Sequence, residues 1–297
     1  MSLQVNNVYF LQSTGTMQEW QNPIHGRTGV WSNENASGLF TASSLSSLFA
    51  YWHQGLTAKN QTLVTFFQET TSPNSLTISW CFQEREYPQP WNSTRHTLPI
   101  TPGSPISAAP AGDGRDLRLY VSGPDSLLHQ HRYNIETDVL SSTPVSTPFS
   151  VPPGTPLCVT TEDNRNFFTQ NTRPECTRPK VANAFLTHLI LFATPDRESL
   201  TLLSWNCSSG FLVQQDRIGH LLKSGRRYVG LTVTSGSNGG NGTFTGQRVY
   251  VAYEEEGTKG AKVEEWAVPG SGGQGGGEDG AQGGPWRLVG GVPLEAR

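Results

Sequence analysis

Apolar and polar residues alternate along this chain in short runs, and the runs come in pairs. "NVYFLQ" is followed after a polar turn by "MQEWQ", and near the other end "VYVAYE" is followed by "VEEWAV". Period-two alternation marks half-buried β-strands, because successive side chains point to opposite faces of the pleat. The pairing recurs as "LVTFFQ" with "LTISWCF", "LRLYVSG" with "LLHQHRY" and "LILFAT" with "LTLLSWNC", which makes five repeated units. In register, an aromatic position reads Trp20, Trp80, His131, Trp205 and Trp266, and the residue before it reads Glu19, Ser79, Gln130, Ser204 and Glu265. Adjacent positions face opposite sides of a strand, so the aromatic can pack on a neighbouring unit while the residue before it faces a cleft.

A strand of small residues precedes four of the pairs: "SGLFTASS", "SPISAAPAG", "TPLCVTTED" and "GLTVTSGS". Weaker segments such as "GVWS", "FLVQQ" and "WRLVGG" follow. Four strands per unit, repeated at spacings of roughly 55 to 70 residues, is the blade pattern of a β-propeller. The expected fold is all-β, one domain over residues 1–297, a five-bladed β-propeller. Its ring is closed by the C-terminal strand "GGVPLEAR" lying beside the N-terminal strands. A six-bladed ring is the alternative, with the extra blade inside residues 162–187.

The connections are unequal. "SLSSLFAYWHQGLTAKN", "QEREYPQPWNSTRH", residues 162–187 and "PGSGGQGGGEDGAQGGP" are long and emerge on one face, which is where function usually sits on a rigid scaffold. They carry Tyr51, Trp52 and His53, then Tyr87, Trp91 and His96, then Arg165, Phe167 and Phe168. The same side chains could instead plug the channel or pack on the blades. The glycine-rich segment reads as a tether, since no strand-to-helix context makes it a phosphate cradle.

Hydrophobic residues at 35% and charged residues at 15%, with 32 Gly and 20 Pro, exclude an all-helical chain. A net charge of -3 offers no basic surface for nucleic acid, and no apolar run is long enough to span a membrane. "MSLQVNNVYF" lacks the pattern of a signal segment, but sequons at Asn35, Asn60, Asn92, Asn206 and Asn241 and the scarcity of lysine point to the secretory pathway. A secreted protein whose signal is absent from this sequence is therefore expected. Cys158 and Cys176 flank a polar loop that a disulfide could close, whereas Cys81 and Cys207 follow strand-like runs.

No metal, nucleotide or dinucleotide motif is present, so no cofactor is expected. His129 and His131 share one face of a strand without an obvious third ligand, and a hydrogen-bonding role is the simpler reading. Asp113, Asp116, Glu162 and Asp163 lie near strand ends, where carboxylates satisfy turn amides. The repeated tryptophan is most simply inter-blade packing, while a glutamate beside it needs a partner or a ligand.

With these motifs in register, the units resemble the fungal fucose-specific lectin family of β-propellers. In that family an Arg of the second strand, a Glu of the third and a Trp of the outer strand grip one sugar. Carried over, the Arg position reads Val8, Val64, Arg118, Ile190 and Tyr250, against Glu19, Ser79, Gln130, Ser204 and Glu265. No unit keeps both, which leaves Arg118, Gln130, Glu19, Tyr250 and Glu265 as residual sugar-site residues. Loss of repeated sites with growth of loops on one face suggests a scaffold reused for one pocket.

The hetero-Diels-Alderases of fungal tropolone-sesquiterpenoid biosynthesis, which resemble this lectin family, fit that description. The resemblance implies a cofactor-independent pericyclase joining a tropolone o-quinone methide to a humulene-type sesquiterpene, both small apolar substrates. Such an enzyme holds two partners in near-attack geometry and donates a hydrogen bond to the diene oxygen. His53, Arg165 and His188 are the candidate donors, and Tyr51, Trp52, Trp91, Phe167, Phe168 and Trp20 the candidate walls. A glycan-binding lectin with degenerate sites is the alternative.

Overall fold

The computed structural model describes residues 5–23, 32–33, 38–53, 61–83, 91–110, 116–141, 143–161, 187–206, 209–219, 221–234, 248–268 and 286–292. Contacts divide the chain into two compact units, Met1–Ile106 with Val121–Asp125 and Ser107–Tyr120 with Ser126–Arg297.

The first unit holds two antiparallel sheets. One has the order β1 (Val5–Leu11), β2 (Met17–Pro23) and β3 (Ser32–Asn33); the other runs β4 (Phe49–His53), β5 (Gln61–Glu69), β6 (Ser72–Gln83) and β7 (Asn92–His96). Gly15, at φ +82° between β1 and β2, has no room for a side chain, since a Cβ there would stand 2.1 Å from the Ala42 carbonyl oxygen. The core of this unit is built from Met17, Leu63, Val64, Phe66, Phe67, Leu76, Ile78, Leu98 and Ile100.

Three expectations are corrected here. The "SGLFTASS" segment is not the first strand of the second sheet: Met17 N–H donates to Phe40 O (3.1 Å), Gly38 N–H donates to Met17 O (3.0 Å), and Thr16 bridges Thr41. The first strand is instead β4, so Tyr51, Trp52 and His53, expected on a long loop, lie on a strand paired with Val64, Leu63 and Thr62. The second long loop likewise contains β7, whose Asn92 to His96 pair with Trp80 to Leu76. Both segments carry β-branched and aromatic residues in short alternating runs, and pairing with a strongly apolar neighbour outweighs their weak individual pattern.

Most of the third sheet belongs to the second unit: β8 (Ile106–Pro110), β9 (Asp116–Ser122), β10 (Leu127–Asn134), β11 (Val139–Leu140) and β12 (Val145–Ser150), with β11 and β12 both pairing β10. The fourth sheet is β13 (Leu157–Thr161), β14 (His188–Ala193), β15 (Leu200–Asn206) and β16 (Gly210–Val213). After a 3-10 turn at Gln215–Ile218 comes the last sheet: β17 (Arg226–Thr234), β18 (Arg248–Glu255), β19 (Lys262–Ala267) and β20 (Arg287–Val292). Five sheets are thus formed among the described residues.

β14 explains how the sheets of the second unit pack. Its "HLILFA" run is buried at every position. Leu189, Leu191 and Ala193 join one apolar cluster with Tyr228, Val249, Val251 and Trp266, while Ile190 and Phe192 join another with Tyr120, Leu128 and Trp205. A strand covered on both faces needs no polar side, and each such large side chain contributes about 1.5–3 kcal/mol by burial.

The tail expected to close the ring begins inside the last sheet. Gly290, Gly291 and Val292, the start of the apolar tail, pair with Glu265, Glu264 and Val263 as the end of β20. The first sheet has three strands among the described residues. Pro293 to Arg297 and the proposed sixth-blade segment 162–186 lie outside the described residues.

Candidate functional site

Alternation in the last sheet separates two sets of polar side chains. Along β18, Val249, Val251 and Tyr253 are buried while Arg248, Tyr250 and Ala252 are half-buried; along β19, Glu264 and Trp266 are buried while Glu265 is half-buried. On the inner face Arg226 of β17 donates from Nη1 to Glu264 Oε2 (3.0 Å) and from Nη2 to Glu264 Oε1 (2.7 Å). Tyr253 hydroxyl and Trp266 Nε1 also donate to that carboxylate, at 3.0 and 3.2 Å. The guanidinium stacks 3.7 Å above the Tyr253 ring. Burial pushes the Glu264 carboxyl up, but hydrogen bonds from Arg226 and Tyr253 outweigh it and hold the carboxyl below its usual range.

On the outer face Arg248 Nε donates to Glu265 Oε1 at 2.9 Å. These two side chains are 29% and 26% exposed, and Tyr250 sits directly opposite Glu265 in the ladder. The pair lies on the second and third strands of a four-stranded sheet, facing away from the packed core. Glu265 is thus bonded by an arginine of the second strand, Arg248, which stands two residues before the expected position Tyr250. A sequence signal for it existed, since "RLYV" at 118–121 matches "RVYV" at 248–251 and aligns Arg248 with Arg118.

The third sheet uses the same motif differently. Gln130 Nε2 donates to Tyr120 Oη (2.7 Å), and that oxygen lies 2.6 Å from His188 Nδ1 of β14. Arg118, half-buried, places its guanidinium 5.5 Å from the Trp205 ring centre. His188 is fully buried, and burial, helped by the Arg118 charge and opposed by the Pro110 carbonyl, lowers its pKa to about 3. It is a neutral core histidine and not an exposed hydrogen-bond donor. In the other sheets the equivalent positions are filled internally: Ser79 Oγ lies 2.5 Å from Thr65 Oγ1, and Ser204 Oγ accepts from Gln214 Nε2 at 3.1 Å. Glu19 is buried on β2 opposite Tyr9.

Of the remaining candidates, Trp91 and Tyr51 have described side chains. Trp91 meets Phe40 edge-on at 6.0 Å, and Phe40 packs 5.7 Å from Phe67. Tyr51 is half-buried, and desolvation pushes its hydroxyl pKa up. The side chains of Trp20, Trp52 and His53, and all of Arg165, Phe167 and Phe168, lie outside the described residues. Cys158 is a free thiol, so the expected bridge to Cys176 is not made: the side chain sits in the apolar cluster with Leu189 and Leu191, while Cys176 lies outside the described residues.

His129 and His131 stand 6.5 Å apart, and His131 Nδ1 lies 3.0 Å from Ser141 O. Among the described residues no group of three His, Cys, Asp or Glu could hold a metal, and no helix is long and apolar enough to cross a membrane. Asp116 is buried and bonded by Arg132 and Asn134 Nδ2 (2.7 Å), which ties β9 to β10. Asp113, Glu162 and Asp163 lie outside the described residues, as do Asn35, Asn60 and Asn241. Asn92 is exposed on β7, whereas Asn206 Oδ1 accepts from Ser209 N–H and Oγ at 2.8 and 2.9 Å.

Comparison with known proteins places this geometry in a fold. No protein-family model matches the chain, and no curated protein matches it. Among solved structures, the SapL1 lectin in complex with alpha methyl fucoside has a TM-score of 0.57 at 15% identity, covering 99% of this chain and 78% of that one. The fucose-specific lectin from Aleuria aurantia gives 0.57 at 13% identity, covering 99% and 80%. A further structure of the Aleuria aurantia lectin, described as a six-bladed β-propeller with a novel fucose recognition mode, gives 0.54 at 13%, covering 99% and 79%. The fold is a lectin-like β-propeller. At these identities the likeness extends to the fold alone.

Proposed function

We propose that this β-propeller binds glycans, with one site built on Arg248 and Glu265. The observation that carries the reading is the 2.9 Å Arg248–Glu265 pair, half-exposed on the second and third strands, with Tyr250 beside it. A guanidinium fixed by a carboxylate presents donors and acceptors in set directions, which suits the vicinal hydroxyls of a pyranose. The structural neighbours named for fucose recognition make a fucose-bearing glycan the first ligand to test.

The cofactor-independent hetero-Diels-Alderase is the second reading; of its candidate donors His53, Arg165 and His188, the last is buried and bonded to Tyr120. Saturable binding to a fucosylated glycan array is expected. Arg248→Ala and Glu265→Ala should each weaken it about tenfold or more, the loss of a charge-assisted hydrogen bond. Retention of full affinity in Arg248→Ala would refute the site, and silence of the unchanged protein at millimolar sugar would refute the function. The cyclase reading has its own assay: adduct yield and stereochemistry, relative to buffer, from a tropolone alcohol mixed with a humulene alcohol.

A further inference from the structure

Gln130, Tyr120 and His188 form a polar chain inside an otherwise apolar cluster that includes Leu128, Ile190, Leu203 and Trp205. Its direction follows from the chemistry of its members. Gln130 Nε2 donates to the phenol oxygen, whose own proton then points at His188 Nδ1. Nδ1 is therefore the acceptor, and the proton of the neutral imidazole resides on Nε2. The Pro110 carbonyl favours a proton on that ring, but it makes no hydrogen bond of normal geometry with Nε2.

The chain thus ends in a donor, His188 Nε2–H, and begins in an acceptor, Gln130 Oε1. Both atoms are buried with no hydrogen-bond partner among the described residues, in side chains of residues that are 0% and 1% exposed. Buried polar atoms are rarely left in this condition, because each costs on the order of 1–3 kcal/mol. A carboxylate or phosphate could serve the donor end only, and an ammonium the acceptor end only. A hydroxyl serves either.

We propose that each end of the Gln130–Tyr120–His188 chain binds a neutral hydroxylic oxygen, which accepts from Nε2 at the His188 end or donates to Oε1 at the Gln130 end. The oxygen belongs either to an ordered water or to a hydroxyl of a bound polyol, and the two sources are separable. The site is independent of the Arg248–Glu265 pair.

Crystals of the full chain grown without polyol, and a second set soaked in L-fucose, test it at a resolution that defines water. A non-protein oxygen within 3.2 Å (about the hydrogen-bonding limit) of Nε2 or Oε1 in both sets assigns water. Sugar density reaching either atom in the soaked set alone assigns a ligand hydroxyl. No such oxygen in either set overturns the proposal. Nitrogen-15 spectra of His188 supply a second measurement: the Nε2–H tautomer is expected, and the Nδ1–H tautomer would reverse the chain and overturn the proposal as well.

Discussion

Replacing Glu264 by Gln changes one carboxylate oxygen to an amide nitrogen in a side chain of the same shape, and the cost follows from what surrounds it. Glu264 accepts two hydrogen bonds from Arg226 and one each from Tyr253 and Trp266. The guanidinium it neutralises is only 4% exposed. Glutamine keeps one acceptor but turns an –NH2 group towards donors, and it leaves the arginine charge buried. Breaking such a pair from one side costs about 3–5 kcal/mol, and Glu255 at 3.5 Å from Arg226 Nε offsets part of it, so the lower half of that range is expected.

For a chain of this size each kcal/mol lowers Tm by about 2–4 °C, so the melt should fall by roughly 6–16 °C. The double variant Arg226→Met with Glu264→Leu removes both charges and should be more stable than either single variant. Differential scanning calorimetry and urea melts on the unchanged protein, Arg226→Met, Glu264→Leu and the double variant complete the cycle, with Glu264→Gln measured beside them. Additive losses, or a Glu264→Gln effect under about 1 kcal/mol, would refute the reasoning.

Other consequences are as direct. His188 has a folded pKa near 3, below its unfolded value, so its contribution to stability is complete above about pH 6.5 and is lost as pH falls below that; urea melts should lose about 1.4 kcal/mol per pH unit there, a slope that His188→Gln reduces. Burial pushes the Cys158 thiol up to about 12, so its peptide should resist alkylation in the native protein and react fully in urea, as read by mass spectrometry. In a secretory host Asn92, exposed on β7, should carry glycan, whereas Asn206, held by Ser209, should not; glycopeptide mapping with the reverse pattern would contradict this.

Strand identity was legible wherever alternation was strong. The paired runs around Trp80, Trp205 and Trp266 became the second and third strands of their sheets, and the pair around Trp20 became the first two of a three-stranded sheet. Phe49 to His53 and Asn92 to His96 were read as loop because their own pattern is weak; their strand character comes from the β5 and β6 ladders beside them. The Arg248–Glu265 pair was missed for a different reason. The ladder sets Tyr250 directly opposite Glu265, and Arg248 reaches that carboxylate diagonally from two residues away on the same face, a contact that side-chain length decides and alternation does not.

The sequence by itself determined an all-β chain of repeated units and the alternation that puts Glu264 and Glu265 on opposite faces, because those depend on local period and composition. Only the tertiary structure decided which arginine meets which glutamate, that His188 is locked against Tyr120, and that Cys158 stays a thiol. These depend on ladder register and on contacts between strands far apart in sequence, and neither leaves a trace in the period of hydrophobicity.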